Sequence, residues 1–126
     1  MILPENLKYT KDHEWLNIEG NKAVIGITEY AQGELGDIVF VDIDPDMEGL
    51  VKGESFGTIE AVKTVSDLFA PCDGKLVELN PKLEDEPELI NSDPYGEGWI
   101  IKIEITSEDS LNDLLDNISY QSQITA

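Results

Sequence analysis

The chain has 126 residues, 27 of them acidic and 8 basic, for a formal charge of −19. That length fits one domain with a single core, and a hydrophobic content of 40% excludes a disordered chain despite the charge. All 8 basic residues are lysine, which argues against gripping a nucleic-acid backbone or an anionic membrane; solubility and docking to positively charged proteins both remain open.

The opening MILPENLKYTKD has neither the basic-then-apolar pattern of a signal peptide nor the Arg- and Ser-rich character of a transit peptide. No apolar run approaches the roughly 18 residues of a membrane span, so a cytoplasmic location is expected. HEWLNI and KAVIGI are β-prone runs on either side of Glu19-Gly20-Asn21, a hairpin break. Thr28 to Gln32 reads as a short helix with Thr28 as N-cap, stopped by Gly33 or Gly36. Ile38 to Ile43 is a buried-strand candidate ended by Asp44-Pro45. Short strands then alternate with turns at Gly49, Lys52-Gly53, Asp73-Gly74 and Asn80-Pro81.

Leu83 to Gly98 is acidic and rich in Pro and Gly, and reads as a long surface loop. In WIIKIEI, Ile101, Ile103 and Ile105 face one way and Lys102 and Glu104 the other. The tail then changes period. Leu111, Leu114, Leu115 and Ile118 follow i, i+3, i+4, i+7 and predict an amphipathic helix over about 107–120, with Thr106 or Ser107 as N-cap and Glu108 and Asp109 in its first turn. Many short strands with two peripheral helices predict a mainly β fold, a single domain over 1–126 built as a sandwich or flattened barrel.

Cys72 is the only cysteine and His13 the only histidine. An intrachain disulfide is therefore impossible, a structural zinc site is not expected, and no Cys–His or Ser–His nucleophilic set can be assembled. Cys72 and Ser66 read as structural. The chain is not expected to be an enzyme in its own right.

Lys63 stands apart. SFGTIEA and TVSDLFA are both β-prone, and the lysine lies in the short link between them, with Glu60 three before and Asp67 four after. A solvated charge at a loop tip is one reading. An uncrowded amine offered for modification, with acids beside it for a modifying enzyme to read, is the other.

The run Ile59-Glu60-Ala61-Val62-Lys63-Thr64-Val65-Ser66-Asp67, followed by Pro71, Gly74 and Val77-Glu78-Leu79-Asn80-Pro81, resembles the lipoyl-lysine signature of glycine cleavage system H proteins. Tyr9-Thr10-Lys11-Asp12-His13-Glu14-Trp15 is similar to that family's His-Glu-Trp start. Gly26-Ile27-Thr28 through Ala31, Leu35-Gly36-Asp37-Ile38, Glu88-Leu89-Ile90-Asn91 and Gly98-Trp99-Ile100 extend the likeness over nearly the whole chain. Biotin carriers bracket their lysine with methionines, where this chain has Val62 and Thr64. Lipoyl domains of 2-oxo acid dehydrogenases lack the His-Glu-Trp start.

The resemblance implies a lipoyl/biotinyl-type β-sandwich of the hammerhead kind, with lipoic acid joined to Lys63 as an amide on an arm on the order of 14 Å long by bond lengths. It implies a shuttle that accepts an aminomethyl group from glycine decarboxylase (P protein) and delivers it to the aminomethyltransferase (T protein). Dihydrolipoamide dehydrogenase (L protein) would reoxidise it, and a lipoate-protein ligase or a lipoyl/octanoyl transferase would attach the cofactor. His13 and Glu14, with Asp67 nearby, match positions where the loaded arm folds back in the family. Glu14 is then an acceptor for the amino group, the alternative being an exposed strand acid. Trp15 reads as core, and Glu60 as a residue read by the attaching enzyme. A carrier that relays lipoyl groups or serves redox signalling, and an unmodified acidic domain that only binds proteins, are the other readings.

Overall fold

The computed structural model describes residues 2–125. Among these residues nine strands form two sheets, one of six strands in the order β1-β2-β3-β9-β8-β5 and one of three in the order β4-β6-β7. The sheets do not close on each other, so the architecture is the sandwich of the sequence reading without barrel closure.

The first sheet starts at β1 (Lys8–Tyr9) and the hairpin of β2 (Glu14–Glu19) with β3 (Lys22–Ile27). Gly20 takes a φ of 63° in the two-residue link, the positive value that glycine supplies without steric cost. β3 pairs with β9 (Ile101–Ile105), β9 with β8 (Gly74–Leu79), and β8 with β5 (Gly49–Leu50), all antiparallel. The second sheet is β4 (Ile38–Asp42), β6 (Ser55–Ala61) and β7 (Val65–Phe69), also antiparallel. Between β3 and β4 lies α1 (Glu29–Leu35), whose N-cap Thr28 accepts from the Ala31 N–H at 3.2 Å. It runs through Gly33 and stops at Gly36, where φ 81° and ψ −157° suit glycine alone.

The core lies between the sheets. Leu16, Ile25, Ile101 and Ile103 from the first meet Phe56, Ile59 and Leu68 from the second. A smaller cluster of Leu7, Tyr9, Trp15 and Tyr120 covers the other face of β1 and β2. Trp15 is core, as expected: it is 2% exposed, its indole N–H donates to the Pro94 carbonyl at 3.0 Å, and a Cβ on Gly26 would lie 2.6 Å from its ring.

Three sequence expectations change. The buried-strand candidate over Ile38 to Ile43 forms β4, but only Ile38 is buried, while Val39 and Phe40 on the three-stranded sheet are 48% and 52% exposed. The C-terminal helix is not a continuous segment over 107–120. A 3₁₀ turn over Glu108–Leu111 is followed by a break, and α3 spans Asn117–Thr125. The break has a specific cause. Leu115 donates to and accepts from Tyr9 through its backbone, both at 2.8 Å, and an extended residue in a bridge cannot be helical. Asp116 then opens α3, its side chain accepting from the Ser119 N–H at 2.7 Å. The buried residue of α3 is Tyr120, while Ile118, assigned to the apolar face, is 71% exposed.

The acidic stretch is also more ordered than a plain loop. A 3₁₀ turn covers Pro81–Leu83 and α2 covers Leu89–Ser92, with Ile90 fully buried. Asn91 anchors it across the fold. Its side chain accepts from the Ile38 N–H at 2.8 Å and donates to Gln32 Oε1 at 3.0 Å and to the Gly36 carbonyl at 2.8 Å.

Candidate functional site

Lys63 sits at the tip of the β6–β7 hairpin. The Ala61 N–H donates to the Thr64 carbonyl at 2.8 Å, leaving Val62 and Lys63 as the two tip residues. Neither has a positive φ, so the turn is not one of the primed types that favour glycine. A second support comes from the α1–β4 link, where the Asp37 carbonyl accepts from the Val62 N–H at 3.0 Å. Lys63 is exposed and takes part in no ion pair among the described residues. Its stem passes Gly36 so closely that a Cβ there would lie 3.3 Å from Lys63 Cε. Asn91 holds that same Gly36 carbonyl, which ties the acidic segment to the platform under the lysine.

A cleft of about 130 Å³ opens beside the hairpin. The turn Asp12–Glu14 forms one wall, α1 contributes Ala31, Glu34 and Leu35, and Ile59 with Ser66, Asp67 and Leu68 closes it from the second sheet. His13, Glu14 and Asp67 therefore share one cavity. Glu60 does not. It is exposed on the outward face of the second sheet, opposite Phe40 on β4 and Val65 on β7, which are 52% and 62% exposed.

Glu14 is no exposed strand acid: it is 2% exposed. Its carboxyl accepts from the Thr10 hydroxyl at 2.9 Å and from the Phe69 N–H at 3.0 Å. Loss of hydration outweighs these bonds and pushes its pKa up to about 8. His13 is half-buried, with φ 69°, the one positive value on a described residue other than glycine. Its backbone is fixed from both sides, its N–H donating to the Thr10 carbonyl at 3.1 Å and its carbonyl accepting from the Thr28 N–H at 3.0 Å. Its Nδ1 lies 2.8 Å from the Tyr120 hydroxyl. Burial lowers its pKa, against the pull of Asp12 and Glu34.

The remaining nucleophiles stay outside this chemistry. Cys72 is fully buried, which pushes its thiol up to about 11, and Ser66 bonds weakly to the neighbouring Asp67 carbonyl at 3.4 Å. A larger hollow of about 520 Å³ shares Asp12 and Glu14 with the cleft, but its far wall is the Lys52–Asp113 ion pair and the C-terminal segment, away from the hairpin tip. Sequence reasoning missed the apolar walls, Ile27, Ala31, Leu35 and Ile59, and the Tyr120 contact. Tyr120 and His13 are 107 positions apart, and no local pattern relates them.

An open two-sheet sandwich that offers a lone lysine at a hairpin tip, with a cleft alongside, defines a carrier module of the lipoyl type. Residues 7–126 match the family model described as the glycine cleavage H-protein. The chain is 56% identical over 126 residues to the glycine cleavage system H protein of Bacteroides fragilis, covering 100% of both chains. It is 52% identical over 124 residues to that of Staphylococcus haemolyticus, covering 98% of each. The crystal structure of a glycine cleavage system H protein from Mycobacterium marinum superposes with a TM-score of 0.89 at 39% identity, covering 98% of this chain and 100% of that one. The chain belongs to the glycine cleavage H-protein family. It is a lipoyl-carrying shuttle of the glycine cleavage system, a carrier subunit working with the system's other components, and a lipoyl-relay role is not favoured.

Proposed function

We propose that Lys63 is the attachment point of the lipoyl group and that the cleft beside it is the seat of the loaded arm. The observation that carries this is a match of lengths. β7 begins at Val65 and rises about 3.3 Å per residue, so even a fully extended path puts Asp67 no more than about 13 Å from Lys63, within the reach of an arm of about 14 Å. The arm starts over Gly36, and the next residue back, Leu35, already lines the cleft. The residues present fit such a group: apolar side chains along the walls for a hydrocarbon chain, and carboxyls of Glu14 and Asp67 for an amine at its end.

Bound lipoate supplies a disulfide that is opened when the aminomethyl group of glycine is taken up and re-formed on later oxidation. The chain's own part is mechanical and electrostatic. Amide formation removes the Lys63 charge, which frees the tip from the pull of the acidic surface. Ile27, Leu35 and Leu68 exclude water, and a cation entering the cleft favours the ionised form of Glu14, which then accepts its hydrogen bond. Glu60, outside the cleft, is left to be read by the attaching enzyme, a lipoate-protein ligase or a lipoyl/octanoyl transferase. Glycine decarboxylase, the aminomethyltransferase and dihydrolipoamide dehydrogenase are the partners for loading, delivery and reoxidation. A cytoplasmic location goes with the bacterial relatives and the single buried Cys72 thiol.

Reconstitution tests the reading. Lipoylated wild-type protein mixed with glycine decarboxylase and labelled glycine takes up label, whereas Lys63→Arg takes up none while keeping the wild-type circular-dichroism spectrum. Label on the arginine variant would contradict the assignment.

A further inference from the structure

The C-terminal helix reaches the cleft through one hydroxyl. Tyr120 is fully buried and stacks on Tyr9 with ring centroids 4.9 Å apart. Its oxygen lies 2.8 Å from His13 Nδ1 and 2.8 Å from Thr28 Oγ1. Two proton arrangements satisfy these contacts. In one, Thr28 donates to Tyr120 and Tyr120 donates to Nδ1. In the other, a protonated Nδ1 donates to Tyr120, which donates to Thr28.

The second arrangement leaves a buried hydrogen without an acceptor. Thr28 is fully buried, and Oγ1 already accepts from the Ala31 N–H at 3.2 Å. Among the described residues nothing but Tyr120 stands ready to accept from the Thr28 hydroxyl. A buried hydroxyl without an acceptor loses its hydration uncompensated. The first arrangement satisfies every hydrogen, and it leaves Nδ1 bare, so that a neutral ring carries its proton on Nε2.

We infer that Tyr120 is a positioning residue, whose hydroxyl, supplied by Thr28, holds His13 as the Nε2–H tautomer on the wall of the cleft. This rests on the reading of the cleft as the arm's seat. The ring is fixed as well as polarised, lying between Tyr30 at 5.0 Å and Tyr120 at 5.7 Å by centroids. Nε2 has no partner among the described residues and is not buried, so it is open to water or ligand. The charged and titratable groups around the ring are Asp12 on its own turn, Glu34 and Tyr30 on α1, and Tyr120 on α3, with Glu14 and Asp67 lining the same cleft.

The consequence is chemical. An aminomethyl thioether and water give a thiol, formaldehyde and ammonia, and attack by that water is helped by a base that takes its proton. A neutral imidazole with a bare Nε2 would be such a base. With Nε2 protonated and Nδ1 occupied by Tyr120, the histidine can donate a hydrogen bond there but cannot accept a proton from water. His13 shields the cargo in this tautomer and would expose it in the other.

His13 is the only histidine, so ¹⁵N labelling of histidine gives one unambiguous pair of ring signals in the unlipoylated protein. At neutral pH we expect a protonated Nε2 and a bare Nδ1. Tyr120→Phe keeps the ring stacked on Tyr9 and removes only the hydroxyl. It should give a mixture of tautomers. Thr28→Ser, which keeps the hydroxyl, should retain the wild-type pattern. In loaded protein, Tyr120→Phe should release formaldehyde about fivefold faster, the factor one ordinary hydrogen bond carries. A proton on Nδ1 in the wild type or an unchanged tautomer in Tyr120→Phe overturns the inference. If the cleft is not the arm's seat, release is alike in both proteins, while the ring signals still decide which nitrogen Tyr120 holds.

Discussion

Glu14 reads from the sequence as either a contact for the loaded arm or an exposed strand acid, and its 2% exposure excludes the second. Its place beside His13 and Trp15 was legible only through a family likeness, and its burial was not legible at all. An acid in a β-prone run at the chain's start gives no hint that Thr10 and the Phe69 N–H will meet it inside the fold. Burial has a measurable consequence. The folded protein keeps the Glu14 proton up to about pH 8, whereas the unfolded chain releases it near the ordinary glutamate value of 4.5. Between these values the unfolded state binds fewer protons, so this group's stabilising contribution is full below about 4.5 and is lost as pH rises toward 8. Glu14→Gln, which has no proton to release, should therefore gain on the wild type as pH rises from about 5 to about 8, by up to about 1.4 kcal/mol per pH unit. Urea unfolding at several pH values measures this, and parallel stability curves would mean that Glu14 is ionised throughout.

At the scale of elements, what the sequence shows best is alternation and what it shows least is long-range anchoring. KAVIGI matches β3 and SFGTIEA matches β6 residue for residue, because β-branched and aromatic residues follow the turn signals Gly20-Asn21 and Lys52-Gly53, and strict alternation appears in β9, where Ile101, Ile103 and Ile105 are buried. The leucine spacing after Ser107 satisfies a helical template equally well. Yet Leu115 gives its backbone to Tyr9, a partner more than 100 positions away that no local pattern encodes. The acidic stretch reads as a loop for the same reason, since Asn91 works through contacts 53 to 59 residues distant. Its role is to hold the end of α1 and the start of β4, and with them the platform under Lys63. Asn91→Ala should lower stability by about 2 kcal/mol, because the Ile38 N–H would be left buried without an acceptor. A change in the urea midpoint at constant slope is the expected result, and an unchanged midpoint would mean that another group takes over.

For the molecule as a whole, the charge of −19 and the absence of arginine were visible at once, as was the two-layer β architecture. The distribution of that charge around an apolar row was not. Phe40, Glu60 and Val65 stand side by side next to the hairpin tip, so a partner that admits the lysine meets both apolar and acidic groups. Docking of glycine decarboxylase should weaken severalfold between about 0.05 and 0.3 M salt, since exposed charges are screened over a distance of about 10 Å at 0.1 M. Calorimetric titration at the two ionic strengths reads this directly. Binding indifferent to salt would confine the acidic surface to a role in solubility.

The most direct check is the mass of the protein itself, produced in cells supplied with lipoate and measured intact and after proteolysis. One lipoyl increment, found only on the peptide that contains Lys63 and lost in Lys63→Arg, is the result expected of a tether at the hairpin tip. An unmodified chain, or the increment on any of the other lysines, would contradict it.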